Sequence, residues 1–201
     1  MVCNVEKSAT APHLHEARKL RIVTFMPADR IVAFYSGGRD DRGRTLDEIL
    51  AWPDDQLELT HDYIQWLFPA PARSAVNPSA PLVTPATRAA FASQPALTNR
   101  LRQAFDRMLA FYGLKRQTDA DGHVQVVIDQ PRFPFRAPGW LRPGNHNHLR
   151  LTRIMQSLAS LGLDAEARAL QRCLLEDLYD GPGSDRITRE TYEFWVAAIH
   201  V

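Results

Sequence analysis

The sequence predicts an all-α fold, a single helical domain of about seven to nine helices with a small β-hairpin insertion near residues 115–128. Three observations lead there. Apolar residues recur at three- and four-residue spacing, most clearly Leu97, Leu101, Ala104, Phe105, Met108 and Tyr112. Capping and terminating residues stand at the ends of such stretches. Strand-forming Val124, Val126 and Val127 gather beside the Asp121-Gly122 turn signal. With 201 residues, 45% of them hydrophobic, the chain is long enough for one sizeable core.

The elements follow in order. Residues 1–12 read as a flexible N-terminus and 13–201 as the domain. His13 to Phe25 and Ala28 to Tyr35 are expected helices around Pro27, and Gly37-Gly38 stops the second. Thr45 and Glu48 have capping-box spacing, so a helix runs from Leu46 to Trp52 and Pro53 closes it. Leu57 to Leu67 is one further apolar segment. The proline-rich run Pro69 to Pro85 is an extended connection. Thr84 caps a helix with Pro85 at its first position, and a long helix spans Ala96 to Tyr112 before Gly113.

Beyond the hairpin, Gln130 to Gly144 is rich in proline, arginine and aromatic residues and is expected to be irregular. Three helices complete the chain. The first, His146 to Ser160, buries Leu151, Ile154, Met155 and Leu158. The second runs from Asp164 as cap to Tyr179, with Ala167, Leu170, Leu174 and Leu178 inward. The third, Asp185 to His200, buries Tyr192, Trp195, Val196 and Ile199.

Charge narrows the functional classes. The formal net charge is +1, so an electrostatic partner must be met locally. Gln130 to Leu163 provides such a place: it holds Arg132, Arg136, Arg142, Arg150 and Arg153 with His146 and His148, and no acidic residue. Cys3 and Cys173 form no disulfide framework or metal knuckle and fit a reducing, cytoplasmic setting. No apolar run has the length of a membrane span or a signal-peptide core, so a soluble protein is expected. Abundant Ala and Arg with three lysines suggest a GC-rich, bacterial source.

Candidate chemistry is uneven. His146, Arg150, Arg153 and Ser157 share one face of their helix, opposite its apolar stripe. Asn145 as cap would leave backbone N–H groups near His146 and Asn147, and the arginines suit a carboxylate or phosphate. The alternative pairs these arginines with acids on neighbouring helices, such as Glu166, Glu176 or Asp177. His146-x-His148 and His13-x-His15 point their rings apart on a helix, so no metal site is expected. The aromatic run from His61 to Pro69 reads either as an apolar groove with polar tips or as a core helix.

Arg132-Phe133-Pro134-Phe135-Arg136 with Trp140 and Arg142 offers rings beside phosphate partners. Near-neutral charge and the lack of a reader motif weigh against nucleic acid. No nucleophile elbow, phosphate loop or dinucleotide glycine pattern is present, so neither catalysis nor a cofactor is expected. A hydrolase-type enzyme assembled in space from His61, Asp62 and a distant serine stays an alternative.

Two strings resemble a known family. His61-Asp-Tyr-Ile-Gln-Trp-Leu-Phe-Pro69 and Asn145-His-Asn-His-Leu-Arg-Leu-Thr-Arg153, extended to Leu163, are similar to hallmark segments of the opioid growth factor receptor conserved domain. Thr45 to Trp52, Leu101 to Gly113 and the Phe194-Trp195 pair support the likeness, which covers about Phe34 to Ala198 in order. The resemblance implies a helical domain. Animal members are described as receptors for the opioid peptide Met-enkephalin, associated with the nucleus and its envelope without spanning a membrane. Peripheral membrane association is implied by that likeness alone, and the family supplies no catalytic residues to carry over.

Together these readings place a ligand site where the two strings meet, for a peptide or other small anionic ligand. Its expected residues are Tyr63, Gln65 and Trp66 on one side, and Asn145, His146, Asn147, Arg150 and Arg153 on the other. Arginine would take a carboxylate, and Trp66 or Trp140 would form an apolar wall. The competing expectation is a polar network that fixes the fold and binds nothing.

Overall fold

Asp29 accepts from the backbone N–H groups of Ile31 and Val32, which caps helix α1 (Arg30–Tyr35). The computed structural model describes Met1 and residues 29–74 and 77–199. The expected terminus over 1–12, apart from Met1, and the helix from His13 to Phe25 lie outside the described residues.

The capping box of Thr45 and Glu48 forms as its spacing predicts and opens α2 (Leu46–Leu50). The stretch expected as one segment, Leu57 to Leu67, is divided between α3 (Asp54–Leu59) and α4 (Ile64–Leu67). Thr60 is extended at φ −94° and ψ 128°. The last carbonyls of α3 therefore turn to donors from outside the helix, and Arg150 supplies them: its Nη1 reaches Leu57 O at 3.0 Å and its Nη2 reaches Thr60 O at 2.7 Å.

Thr84 and Thr87 cap α5 (Pro85–Ser93), and the extended Gln94 separates it from α6 (Pro95–Tyr112). α6 packs against α1, α5, α7 and β1. It ends at Gly113, where φ is 77°. A side chain there would also collide with the next element, since a Cβ would stand 2.7 Å from Phe133 Cα. Strands β1 (Leu114–Thr118) and β2 (Val124–Ile128) pair antiparallel from Leu114↔Ile128 to Thr118↔Val124. The Asp119 carboxylate accepts from the N–H groups of Asp121 and His123 and ties the turn.

The segment expected to be irregular, Gln130 to Gly144, contains α7 (Phe133–Trp140). Pro134 stands in the first turn, where a helical N–H has no partner to lose. Ala137 and Trp140, three apart, face inward, and the Trp140 indole donates to Tyr112 O at 3.0 Å. Tertiary burial thus holds a helix that local propensity disfavours.

α8 (His146–Ser160) follows with Asn145 as its cap. α9 (Asp164–Arg172) has Leu163 rather than Asp164 in the cap position, and it continues as a π-helical segment over Cys173–Tyr179. α10 (Arg189–Ala197) starts at Thr188, whose side chain accepts from Thr191 N–H, so it is shorter than the expected span from Asp185. Val196, expected inside, is exposed. The described part has ten α-helices and one two-stranded sheet, confirming the mostly helical class with its hairpin. The count exceeds seven to nine because residues 54–67 split and α7 forms.

Trp66, Trp140, Trp195, Tyr63 and Tyr112 are among the largest fully buried side chains. Burying one such ring stabilises the fold by about 2–3 kcal/mol.

Candidate functional site

The polar face of α8 looks toward another part of the chain. Arg150 is only 5% exposed. Besides Leu57 O and Thr60 O, its guanidinium reaches Asn147 Oδ1 at 3.2 Å and His61 Nδ1 at 3.3 Å, and it stands 5.5 Å from the Tyr63 ring centre. A cation at the C-terminus of α3 is favoured by the helix dipole as well as by hydrogen bonding. The forked donors expected to grip a ligand are therefore committed to backbone. Of the acids expected to pair with these arginines, Glu166 binds Arg102 at 2.7 Å, while a different neighbouring-helix acid, Glu58 of α3, stands 4.0 Å from Arg150 Nη1.

Several other expected site residues are also inside. Tyr63 donates to Met108 Sδ at 3.8 Å, and the Trp66 indole donates to Asp41 Oδ1 at 3.1 Å. Asn147 accepts from the Tyr112 hydroxyl at 3.3 Å and donates to Glu58 Oε2 at 2.9 Å. Trp66 and Trp140 accordingly form no wall of a pocket. Each amphipathic ring has found an internal acceptor for its polar tip, which lets the whole ring be buried.

What remains open is a groove of about 510 Å³ between α4 and α8. Gln65, His146, Arg150 and Arg153 of the expected set line it, while Asn145 lines an adjoining groove. Ile64, Leu149 and Phe194 provide the apolar wall. Among the described residues, no Asp or Glu lines this groove. Arg153 differs from Arg150 in every respect that matters for a ligand. It is half-buried, its one protein hydrogen bond among the described residues is a long 3.4 Å contact to Phe68 O, and no described carboxylate pairs with it. Burial pulls its pKa below the usual arginine value, so the charge there is poorly solvated. Arg73, at the same groove, is exposed and donates to Pro78 O at 3.4 Å.

Gln65 donates to Ser74 Oγ at 3.3 Å, and its buried Oε1 meets no donor. The His61 and His146 rings stand edge to face with centres 5.0 Å apart. Burial, then the neighbouring Arg150 charge, lowers the His146 pKa, and Glu58 Oε1 lies 3.5 Å from its Nε2.

Other expectations sort on the same geometry. His148 points inward, with Nε2 3.1 Å from Trp140 O, so the two rings of His146-x-His148 diverge as helical spacing predicts. His13-x-His15 lies outside the described residues. Sequence reading missed the grouping of Asp119, Asp121 and His123 at the hairpin turn, whose ligand-type atoms lie within 4.8 Å of one another. The alternating spacing was its signal, but Asp119 is already bound to the turn's N–H groups; the bond from His123 N–H leads the lowering of its pKa. The arginine–aromatic run is divided: Arg132, Phe135 and Arg142 are exposed, while Arg136 and Trp140 turn inward. Arg136 turns to Phe111 O at 2.7 Å and Asp54 at 3.1 Å, and Arg132 stands 3.6 Å from Asp129.

Residues 39–201, which contain every residue lining the groove, match the family described as "Opioid growth factor receptor (OGFr) conserved region". The chain belongs to the opioid growth factor receptor family. It is 39% identical over 139 residues to the opioid growth factor receptor of Rattus norvegicus, covering 67% of this chain and 23% of that protein. The Homo sapiens receptor is 36% identical over 138 residues, covering 67% and 20%. The opioid growth factor receptor-like protein 1 of Rattus norvegicus is 31% identical over 161 residues, covering 78% and 33%. The matched part thus spans a fifth to a third of these relatives. They are vertebrate proteins, so the bacterial source suggested by Ala and Arg usage is not borne out. No solved structure matches the chain.

Proposed function

We propose that this opioid growth factor receptor family domain is a receptor-type binding module, without catalysis of its own, whose α4–α8 groove takes a peptide or other small ligand bearing a carboxylate. One observation carries this reading: Arg153 is a half-buried cation in a groove that no described acid lines, and among the described residues nearly all its donors are unused. A poorly solvated guanidinium gains more from a carboxylate than an exposed one does. Ile64, Leu149 and Phe194 supply apolar contact beside it. The relatives' name, receptors for an opioid growth factor, agrees with a peptide ligand.

The test is calorimetric titration with short apolar peptides carrying either a free or an amidated C-terminus. Free peptides are expected to bind at least about tenfold more tightly, as a charge-assisted hydrogen bond of about 1.5–3 kcal/mol requires. Arg153→Gln should erase the difference. Equal affinity for the two peptide forms would sink the proposal.

No helix among the described residues is long and apolar enough to cross a membrane. The accompanying proposal is a cytoplasmic location. Imaging of the tagged chain should show diffuse cytoplasmic signal, and a nuclear-envelope rim would refute it.

A further inference from the structure

Two imidazoles, those of His61 and His146, line the α4–α8 groove among its arginines. Imidazole is the side chain whose charge ordinarily changes between pH 5 and 8. Their surroundings make the two unequal. Arg150 Nη2 lies 3.3 Å from His61 Nδ1. A guanidinium nitrogen only donates, so Nδ1 accepts and the His61 ring carries its proton on Nε2. A further proton would have to enter at Nδ1, setting donor against donor and cation against cation. His146 meets the opposite situation. Its Nε2 is buried, has no hydrogen-bond partner among the described residues, and stands 3.5 Å from Glu58 Oε1. Asn147 Nδ2 holds the other oxygen, Oε2, at 2.9 Å, which fixes the carboxylate beside the ring.

Charges face His146 from several elements. Glu58 belongs to α3, and Arg150 and Arg153 to α8. Arg142 precedes α8, and Arg73 lies across the groove in the proline-rich connection. Glu190 of α10 lines the adjoining groove with His146. His148, two residues on, is turned inward to Trp140 O. Burial, then Arg150, disfavours a charge on His146, and Glu58 favours one.

We infer that His146 is a proton gate on the groove: neutral at pH 7 and above, it takes up a single proton in acid and so tightens the groove's hold on a carboxylate. His61, locked by Arg150, stays neutral, so the pair does not charge together. This rests on the reading of the Arg153 groove given above and adds its regulation. His146 and Arg153 are seven residues apart. That is about 10 Å along the helix, at 1.5 Å per residue. At that distance, with an effective dielectric constant of about 40, one added charge alters carboxylate affinity about fourfold. Linkage returns the same factor, so bound carboxylate should raise the His146 midpoint by about 0.6 pH.

The experiment is calorimetric titration of the whole chain from about pH 8 to about pH 5. The probe is an acetylated apolar tetrapeptide whose free carboxylate, with an ordinary pKa of about 3.3–3.7, stays ionised throughout. Its amidated twin is the control. Affinity for the free form should be level down to pH 7 and rise about fourfold below 6.5, while the amidated form shows no rise. His146→Gln should abolish the rise, and Glu58→Gln should move it to lower pH. His61→Asn, whose Oδ1 can accept from Arg150 in place of Nδ1, should keep it. The His146 side chain is 40% exposed, so its variant should fold. Nitrogen-15 imidazole signals of the ligand-free chain should show His146 gaining a proton while His61 keeps its Nε2–H form.

Carboxylate-dependent binding of equal strength across the range refutes the gate and leaves the Arg153 reading standing. A rise that survives in His146→Gln, or imidazole signals in which His61 charges first, places the proton elsewhere and refutes it too. If the free and amidated peptides bind alike at every pH, the Arg153 reading falls and the gate falls with it.

Discussion

Arg150 and Arg153 stand one turn apart on the same face of α8, yet they do different work. Arg150 meets the end of α3, where helical carbonyls lack donors, and its guanidinium closes that end. Arg153 passes beyond α3 to the level of α4, where among the described residues it has one long contact and a groove lined by no acid. Helical spacing puts two arginines on one face. What lies opposite each decides whether its donors are filled by the fold or left largely unused.

The largest expected effect breaks the first half of this comparison. Arg150→Ala leaves the buried carbonyl of Leu57 and the partly buried carbonyl of Thr60 without this donor, at about 1–3 kcal/mol each. For the two carbonyls together this is about 2–6 kcal/mol, so melting by calorimetry should fall by roughly 4–24 °C, taking about 2–4 °C per kcal/mol for a chain of this size. A shift within 2 °C would show that the α3 cap is dispensable. Arg153→Gln should do the reverse: carboxylate-dependent binding falls about tenfold or more, while Tm moves by no more than about 2 °C. A large loss of stability with binding intact would reassign it to the fold.

A third prediction concerns pH. Burial lowers the pKa of His148 below its ordinary 6.5, and its ring sits against Trp140 O and, at 3.4 Å, Thr191 Oγ1. The folded state therefore binds a proton less readily than the unfolded chain. This contribution to stability is complete above pH 6.5 and is lost as pH falls through the folded value. Denaturant midpoints should drop between pH 7 and 5, and more steeply in wild type than in His148→Gln. Parallel curves would remove His148 from the account.

The smallest effect belongs to Cys173, whose thiol is pushed up to about 12 by burial. Peptide mapping after iodoacetamide treatment at pH 8 should show Cys173 unmodified until the protein is denatured. Rapid labelling in the native state would mean that the π-helical segment opens.

Much of the fold was legible because its signals are local. Thr45 with Glu48, Thr84 with Pro85, Gly113 and the Asp121-Gly122 turn each act through their own backbone, and each forms as its chemistry predicts. α7 was not legible. Its prolines argue against a helix, and the argument is overturned by Trp140 seating itself under Tyr112 O. The break between α3 and α4 was hidden for a related reason: Arg150, some 90 residues downstream, stabilises it.

At the groove, the meeting of the two strings was readable, and so was the presence of Arg153 on the α8 face that lines it. Tyr63, Trp66 and Trp140 were misplaced because a ring with a polar tip suits a pocket wall and a core equally until its acceptor is known. Leu149 and Phe194 were passed over. Leu149 falls outside the inward stripe of Leu151, Ile154, Met155 and Leu158, four residues before Arg153, and an apolar residue on a polar face was the available signal.

The contrast between the two arginines can be read most directly from their side-chain Nε–H signals by NMR, with nitrogen-15 labelling, as a free-carboxylate apolar tetrapeptide is added. The Arg150 signal should be slow to exchange before any peptide is present and should stay in place. The Arg153 signal should shift in proportion to occupancy, and the amidated peptide should leave it unmoved. A shift of Arg150 with Arg153 stationary would contradict the assignment of roles on which the account rests.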